Sequence, residues 1–237
     1  PIYGLDDDSG KRAGQNLLIS LRNFDLDRGE TALFFTSNPT RNIITRITGG
    51  AASRIDGSVI SQVDGASLFI INSSGLTIGP EARFEVNGAL HLSAATGIDF
   101  ADGSSLDTRA GPVPVLSAAD PTAFGFLSAP APVSLRSATL APPQGRLPQN
   151  VYSITGGAIG ITDSEIAARG GLIAIHSGAS AGRVSVPTLT DPGTNDFATG
   201  GRVTLQAGTS LDAVNSGLVK IAGAVITLDG ARIDALA

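Results

Sequence analysis

The sequence predicts an all-β protein, a single-stranded parallel β-helix that completes one turn about every 21–22 residues. Three observations predict it. Short alternating apolar pairs recur at a near-constant spacing, glycines stand between them, and runs with helical periodicity are hard to find. Composition agrees, with 30 Gly, 13 Pro and only 5% aromatics in 237 residues, a mixture suited to short strands joined by tight corners.

The repeat is clearest between residues 47 and 106. Leu68/Ile70, Leu76/Ile78, Phe84/Val86, Leu90/Leu92 and Ile98/Phe100 each alternate, and Leu106 follows. Leu68 to Leu90, Leu76 to Ile98 and Phe84 to Leu106 are each 22 residues apart; Leu68 to Ile47, Leu76 to Ile55 and Phe84 to Val63 are each 21. Within a strand, alternate side chains point to opposite faces, so Leu90 and Leu92 are expected in the core and His91 outside. Gly75, Gly79, Gly88 and Gly97 mark corners. Leu68, Ile70, Leu76, Ile78, Phe84 and Val86 are the expected core of a folding nucleus spanning about residues 38–108, where the repeat is most regular.

Residues 15–36 lack a partner 22 residues away and read as a β cap over the open N-terminal end, with Leu17, Ile19 and Leu21 alternating before Phe24 and Leu33-Phe34-Phe35. Residues 109–150 break the repeat, hold most of the prolines and read as an irregular excursion, with a strand at Val133 to Leu135. The theme then resumes. Ile159, Ile161, Ile166, Ile173 and Ile175 match Val203, Leu205, Leu211, Val219 and Ile221, and the first pair is 44 residues apart, read as two turns. Because the repeat resumes, 1–237 reads as one domain. About ten turns stacked at ~4.8 Å would give a rod of about 50 Å. A β-sandwich is the rival, but hairpin strands need no constant period and Asn-Gly turns are few.

Charge and chemistry-bearing residues narrow the function. The net charge is −5, from 16 Lys+Arg against 21 Asp+Glu, and no basic stripe interleaved with aromatics supports nucleic-acid binding. With no Cys and two distant histidines, a zinc site is not expected, nor any other cofactor. His91, on the outer face of a strand, and His176, at a corner after Ile175, read as solvated surface residues. Asp6-Asp7-Asp8-Ser9-Gly10 lacks calcium-loop spacing and reads as a solvated, poorly ordered start. Asp99, Asp102 and Asp107 lie within one turn, as a glycosidase-type set would, but the equivalent positions one turn earlier carry Thr77, Pro80 and Glu85, and no row of aromatics could stack on sugars. Catalysis is therefore not expected. No stretch reaches the ~20 apolar residues of a membrane span. Pro1-Ile2-Tyr3 opens without a basic or apolar leader, so an exported form would be mature or trimmed.

An ordered set of motifs then resembles a known family. Asn16-Leu17-Leu18-Ile19-Ser20 with Phe24, Gly29 and Phe34, then Asn38-Pro39-Thr40-Arg41-Asn42-Ile43-Ile44-Thr45-Arg46-Ile47-Thr48-Gly49-Gly50, is similar to the opening of the filamentous haemagglutinin-type secretion domain, the TPS domain. Ser53-Arg54-Ile55-Asp56-Gly57, Leu68 to Leu76, Gly79-Pro80 with Ala82-Arg83-Phe84, and Ala123-Phe124-Gly125-Phe126-Leu127 continue it. The resemblance implies a right-handed β-helix with an N-terminal cap, and the export module of a large two-partner secretion exoprotein, usually an adhesin, cytolysin or toxin carrier. It implies an outer-membrane β-barrel transporter with periplasmic POTRA domains as partner, translocation of an unfolded chain from a Gram-negative periplasm, and folding at the cell surface. A chain without Cys suits that route, because a disulfide formed early would block threading.

Asn16, Asn38, Pro39, Gly49, Gly50, Asp56, Gly57, Asn72 and Gly75 are the candidate recognition or turn residues. A plain turn is the favoured role for Asn38-Pro39, and a corner for Asn72 to Gly75. The family's second Asn-Pro site reads Asn72-Ser73-Ser74-Gly75 here, with the Pro lost. A surface adhesin binding host cells or glycans is the alternative function, and a polysaccharide-active β-helix enzyme the least favoured. A monomer is expected.

Overall fold

The computed structural model describes residues 1–109, 111, 116–143 and 150–235. Nearly every element is a strand, and three long sheets run side by side along one axis. Sheet 1 contains Ile2–Leu5, Thr31–Phe34, Ser58–Ser61, Arg83–Val86, Thr139–Ala141, Glu165–Ala167, Ser210–Asp212 and Arg232–Asp234, and sheet 3 contains Ser53–Ile55, Leu76–Ile78, Val133–Arg136, Ile159–Thr162, Arg202–Leu205 and Val225–Leu228. From the second coil on, each coil contributes one strand to sheet 2, then sheet 3, then sheet 1; in the first coil the bridge of Leu26 to Ile55 stands in place of a sheet 3 strand. Sheet 2 holds seven parallel strands, Asn16–Leu21, Asn42–Ile47, Ser67–Asn72, Leu90–Ser93, Val151–Gly156, Leu172–Ser177 and Leu218–Ala222. The expected parallel β-helix is therefore present, with seven coils among the described residues where the spacing suggested ten, about 30 Å of stack.

The core is a set of apolar columns. Leu17, Ile43, Leu68, Leu90, Tyr152, Ile173 and Val219 lie above one another in sheet 2. Val59, Phe84, Leu140, Ile166 and Leu211 do the same in sheet 1. Leu76, Val133, Ile159, Val203 and Ile226 do so in sheet 3. Leu68, Ile70, Leu76, Ile78, Phe84 and Val86 are all fully buried, as the alternation requires.

The register differs from the even repeat. Leu68 does sit over Leu90, but its other neighbour is Ile43, not Ile47. Ile78 pairs with Ile55, so Leu76 lies over Ser53. Phe84 pairs with Val59, not Val63. Each error is two or four residues. A shift by an even number keeps every side chain on its own face, so alternation cannot distinguish these registers.

A larger correction concerns residues 97–107. Ile98, Phe100 and Leu106 do not stack on Leu76, Ile78 and Phe84; Val133, Leu135 and Leu140 do. The excursion begins two strands earlier than expected. Gly97–Phe100, Ser105–Asp107 and Pro121–Phe126 form an antiparallel sheet outside the helix, joined by Gly182–Ser185. Val133–Arg136 and Thr139–Ala141 belong to the helix itself. Residues 110, 112–115 and 144–149 of the expected excursion lie outside the described residues. Likewise, Ile159 pairs directly with Val203, so the 44-residue spacing is one coil interrupted by the segment carrying Gly182–Ser185.

At the N-terminal end, Asn16–Leu21 and Thr31–Phe34 are the first coil, stacked in parallel on the second. The strands that cover them are earlier in the chain: Ile2–Leu5 lies on Thr31–Phe34, and Gly10–Ala13 runs antiparallel to Asn16–Leu21. The cap expected over 15–36 thus comes from residues 2–13. The acidic stretch expected to be poorly ordered is a single helical turn, Asp7–Ser9, whose Asp6 cap accepts from the backbone NH groups of Asp8 and Ser9. At the opposite end, Leu218, Val225, Ile226, Leu228 and Ile233 are exposed on the last coil.

Candidate functional site

Four of the recognition candidates sit at the surface and five are buried. Asn38, Pro39, Gly49 and Gly50 are exposed; Asn16, Asp56, Gly57, Asn72 and Gly75 are not. Asn38-Pro39 is a turn that also holds the cap. The Asn38 amide donates to Asp7 Oδ2 at 3.0 Å, and Arg12 Nη1 donates to the Pro39 carbonyl at 3.3 Å. Asp7 also accepts from Thr36 and pairs with Arg12. The Thr36 hydroxyl and the Arg12 guanidinium hold the Asp7 carboxyl down to about 2. Gly50 has φ +80°, and a Cβ on Gly49 would strike the Arg22 carbonyl oxygen.

The other candidates are corners. Asn72 Nδ2 donates to the Ala51 carbonyl at 2.9 Å and to Ser53 Oγ at 3.0 Å, and its Oδ1 accepts from the Ser74 NH at 2.9 Å. Gly75 closes the turn with φ +103°. Asn and Gly therefore make this corner without the proline. Asp56 pairs with Arg54 and lies directly under Gly79, where any Cβ would collide with Oδ1.

From the Asn16 and Asn38-to-Gly50 motifs, the side chains of Asn16, Leu18, Asn42, Ile44 and Arg46 lie on the outer face of sheet 2. The extra-helical sheet lies on that face as a cover. Leu18, Ile44, Phe69 and Ile71 of sheet 2 form a second core with Ile98, Phe100, Leu106, Phe124, Phe126 and Val184 of the cover. Around this core stands a polar border. Asn16 Nδ2 donates to the carbonyls of Ser117 (2.9 Å) and Ala119 (2.6 Å), and its Oδ1 accepts from Asn42 at 2.9 Å. Asn42 reaches Asp120 Oδ1 at 3.1 Å, and Arg41 pairs with Asp120 at 2.7 Å. Arg46 donates to the carbonyls of Asp107 (2.9 Å), Arg109 (3.3 Å) and Gly111 (2.8 Å) and to Ser20 Oγ (2.8 Å). Sequence reasoning missed Arg41, Asn42 and Arg46. The available signal was the unbroken Ile43-Ile44 run, since adjacent apolar residues mark a strand buried on both faces.

Both histidines contradict the expectation of solvated surface. His91 points away from the lumen as predicted, whereas His176, expected at a corner, lies within the strand Leu172–Ser177; the cover and the following segment lie over them. His91 is 1% exposed, stacks on Phe69 with ring centroids 4.4 Å apart, and bonds Ser153 Oγ through Nδ1 at 2.7 Å. Burial pushes its pKa down to about 3. His176 is buried between the Pro192 carbonyl and Asn195, and burial lowers its pKa as well.

The carboxylates do not gather. Asp99 pairs with Arg183, Asp102 accepts from the hydroxyls of Ser104 and Ser117, and Asp107 pairs with Arg109. Hydrogen bonds from Ser104 and Ser117 hold the Asp102 carboxyl down to about 2, and Arg109 lowers that of Asp107. Both changes favour the ionised form, the opposite of what a general acid needs. Among the described residues no three His, Asp or Glu side chains stand together as metal ligands would.

The class these features define is a capped parallel β-helix whose motif side chains fasten an outer cover. The model of the TPS secretion domain matches residues 6–224, and the chain belongs to that family. It is thus a secretion module of the two-partner secretion system, a substrate of a transporter partner and bound for the cell exterior. A search of curated proteins finds no match.

Proposed function

We propose that the chain acts as one N-terminal module of a large adhesin-like exoprotein, read by an outer-membrane β-barrel transporter through its periplasmic POTRA domains. It crosses the outer membrane unfolded and folds outside. The observation that carries this reading is the family match over residues 6–224. The geometry supports it physically. The columns bury apolar side chains only when one coil meets the next, so a single coil held in a pore gains little. Each coil that stacks outside makes return unfavourable, and folding can drive export without nucleotide hydrolysis.

Burial divides the recognition residues by the state in which they can be read. In the folded module Asn38, Pro39, Gly49 and Gly50 are open to a partner. Asn16, Asp56, Gly57, Asn72 and Gly75 are accessible only while the chain is extended, where a transporter would add it as a strand and contact its turns. A secretion assay tests the scheme. Replacing Leu68, Leu76 and Phe84 together by Asp should abolish accumulation outside the cell while leaving transporter binding by the periplasmic chain intact. Undiminished export would contradict the role of coil folding.

A further inference from the structure

A stack of coils in which each touches only its neighbours should fray from either end. This molecule carries a feature that bypasses the neighbours. The near margin of the cover is fixed by the first two coils, through Asn16, Arg41, Asn42 and Arg46. Its far strand, Gly182–Ser185, leaves the sixth coil and pairs antiparallel with Pro121–Phe126, setting Val184 beside Phe124. Asp99 of the cover pairs with Arg183 across that edge. Beyond it, residues 186–195 are held by His176 of the sixth coil and Lys220 of the seventh, which donates to the Gly193 carbonyl. The apolar faces between are continuous, from Leu18 in coil 1 to Val184.

We propose that the cover is a staple that couples the first two coils to the last two, so that both ends of it open and close as one unit. Arg46 is its principal positioning residue, because one guanidinium satisfies three carbonyls of the cover's margin at once. The proposal does not depend on the export reading, since it concerns the purified chain without a transporter.

Native-state hydrogen exchange tests it. In Arg46→Ala, amides of Gly97–Phe100 and of Gly182–Ser185 should exchange faster by a similar factor, roughly 10- to 100-fold for the loss of several charged hydrogen bonds. Strands Leu76–Ile78 and Ile159–Thr162 of sheet 3, which the cover does not touch, should change far less. The reciprocal variant Val184→Ala should speed exchange at Ser105–Asp107, because coupling between two sites acts equally in both directions. Arg46→Lys, able to reach fewer carbonyls, should fall between. Acceleration confined to residues 105–111 in Arg46→Ala would overturn the proposal. So would equal acceleration in sheet 3, which would show that Arg46 acts on the whole body and not through the cover.

Discussion

His91 shows how one side chain can be placed correctly by pattern and wrongly by environment. It lies on the outer face of its strand, between Phe69 and Ser153 in the outward column of sheet 2. There the ring stacks on Phe69 under Phe124, in a site that excludes water. Its folded pKa, about 3, lies below the ordinary value of 6.5. A depressed histidine adds stability that is fully present above pH 6.5 and drains as pH falls toward 3, because the unfolded chain takes up the proton first. The module should therefore lose about 2 kcal/mol between pH 7 and pH 5 on account of His91. His176 adds in the same direction. Urea unfolding across this range checks it: His91→Leu should show a shallower pH dependence than the parent, and identical profiles would contradict the assignment. Asn72 teaches a complementary lesson. Its amide donates to Ala51 and Ser53 of the preceding coil's corner while its carbonyl oxygen accepts from Ser74 in its own, so the residue suffices there without the family's proline.

At the scale of strands, alternation was legible and register was not. Period 2 alone points Leu68, Ile70, Leu76, Ile78, Phe84 and Val86 inward, and all six are buried. Their partners were partly wrong because Val59 and Val63, or Ser53 and Ile55, lie on the same face and differ by an even step. Ile98/Phe100 alternates as well as any helix strand, yet its apolar face meets Phe69 and Ile71 from outside. A strand that packs on a sheet's outer surface carries the same pattern as one that lines the lumen, so periodicity cannot separate them. The cover's border was only half legible: the Ile43-Ile44 run marks a strand buried on both faces, but no local pattern marks the distant carbonyls that Arg46 and Asn16 reach. Within the helix, Phe84 lies between Val59 and Leu140 and has no exposed surface. Phe84→Ala should cost about 3–5 kcal/mol, the usual range for emptying a buried phenyl site, measured as a shift in the denaturation midpoint. A loss below about 1 kcal/mol would mean that the column is not packed as described.

For the whole molecule, the helix tolerates long interruptions because a coil is defined by its three strands and not by the chain between them. The fourth coil leaves sheet 2 at Ser93, builds most of the cover, and rejoins sheet 3 at Val133; the sixth leaves at Ser177 and rejoins at Arg202. Extra chain in a loop costs only slowly rising entropy, so the columns close across it. The stacked lumen is what the export reading draws on, and the cover lies outside that lumen. One measurement addresses this directly. The chain has no cysteine, so a pair introduced on sheet 1 forms the sole disulfide. Glu85 and Ala141 are register partners on neighbouring coils, a separation a disulfide can span. Oxidation of the purified Glu85→Cys, Ala141→Cys variant should give an efficient intramolecular cross-link, and Glu85→Cys with Asp107→Cys, the pair an unbroken 22-residue repeat would join, should give none. The reverse result would contradict the stack.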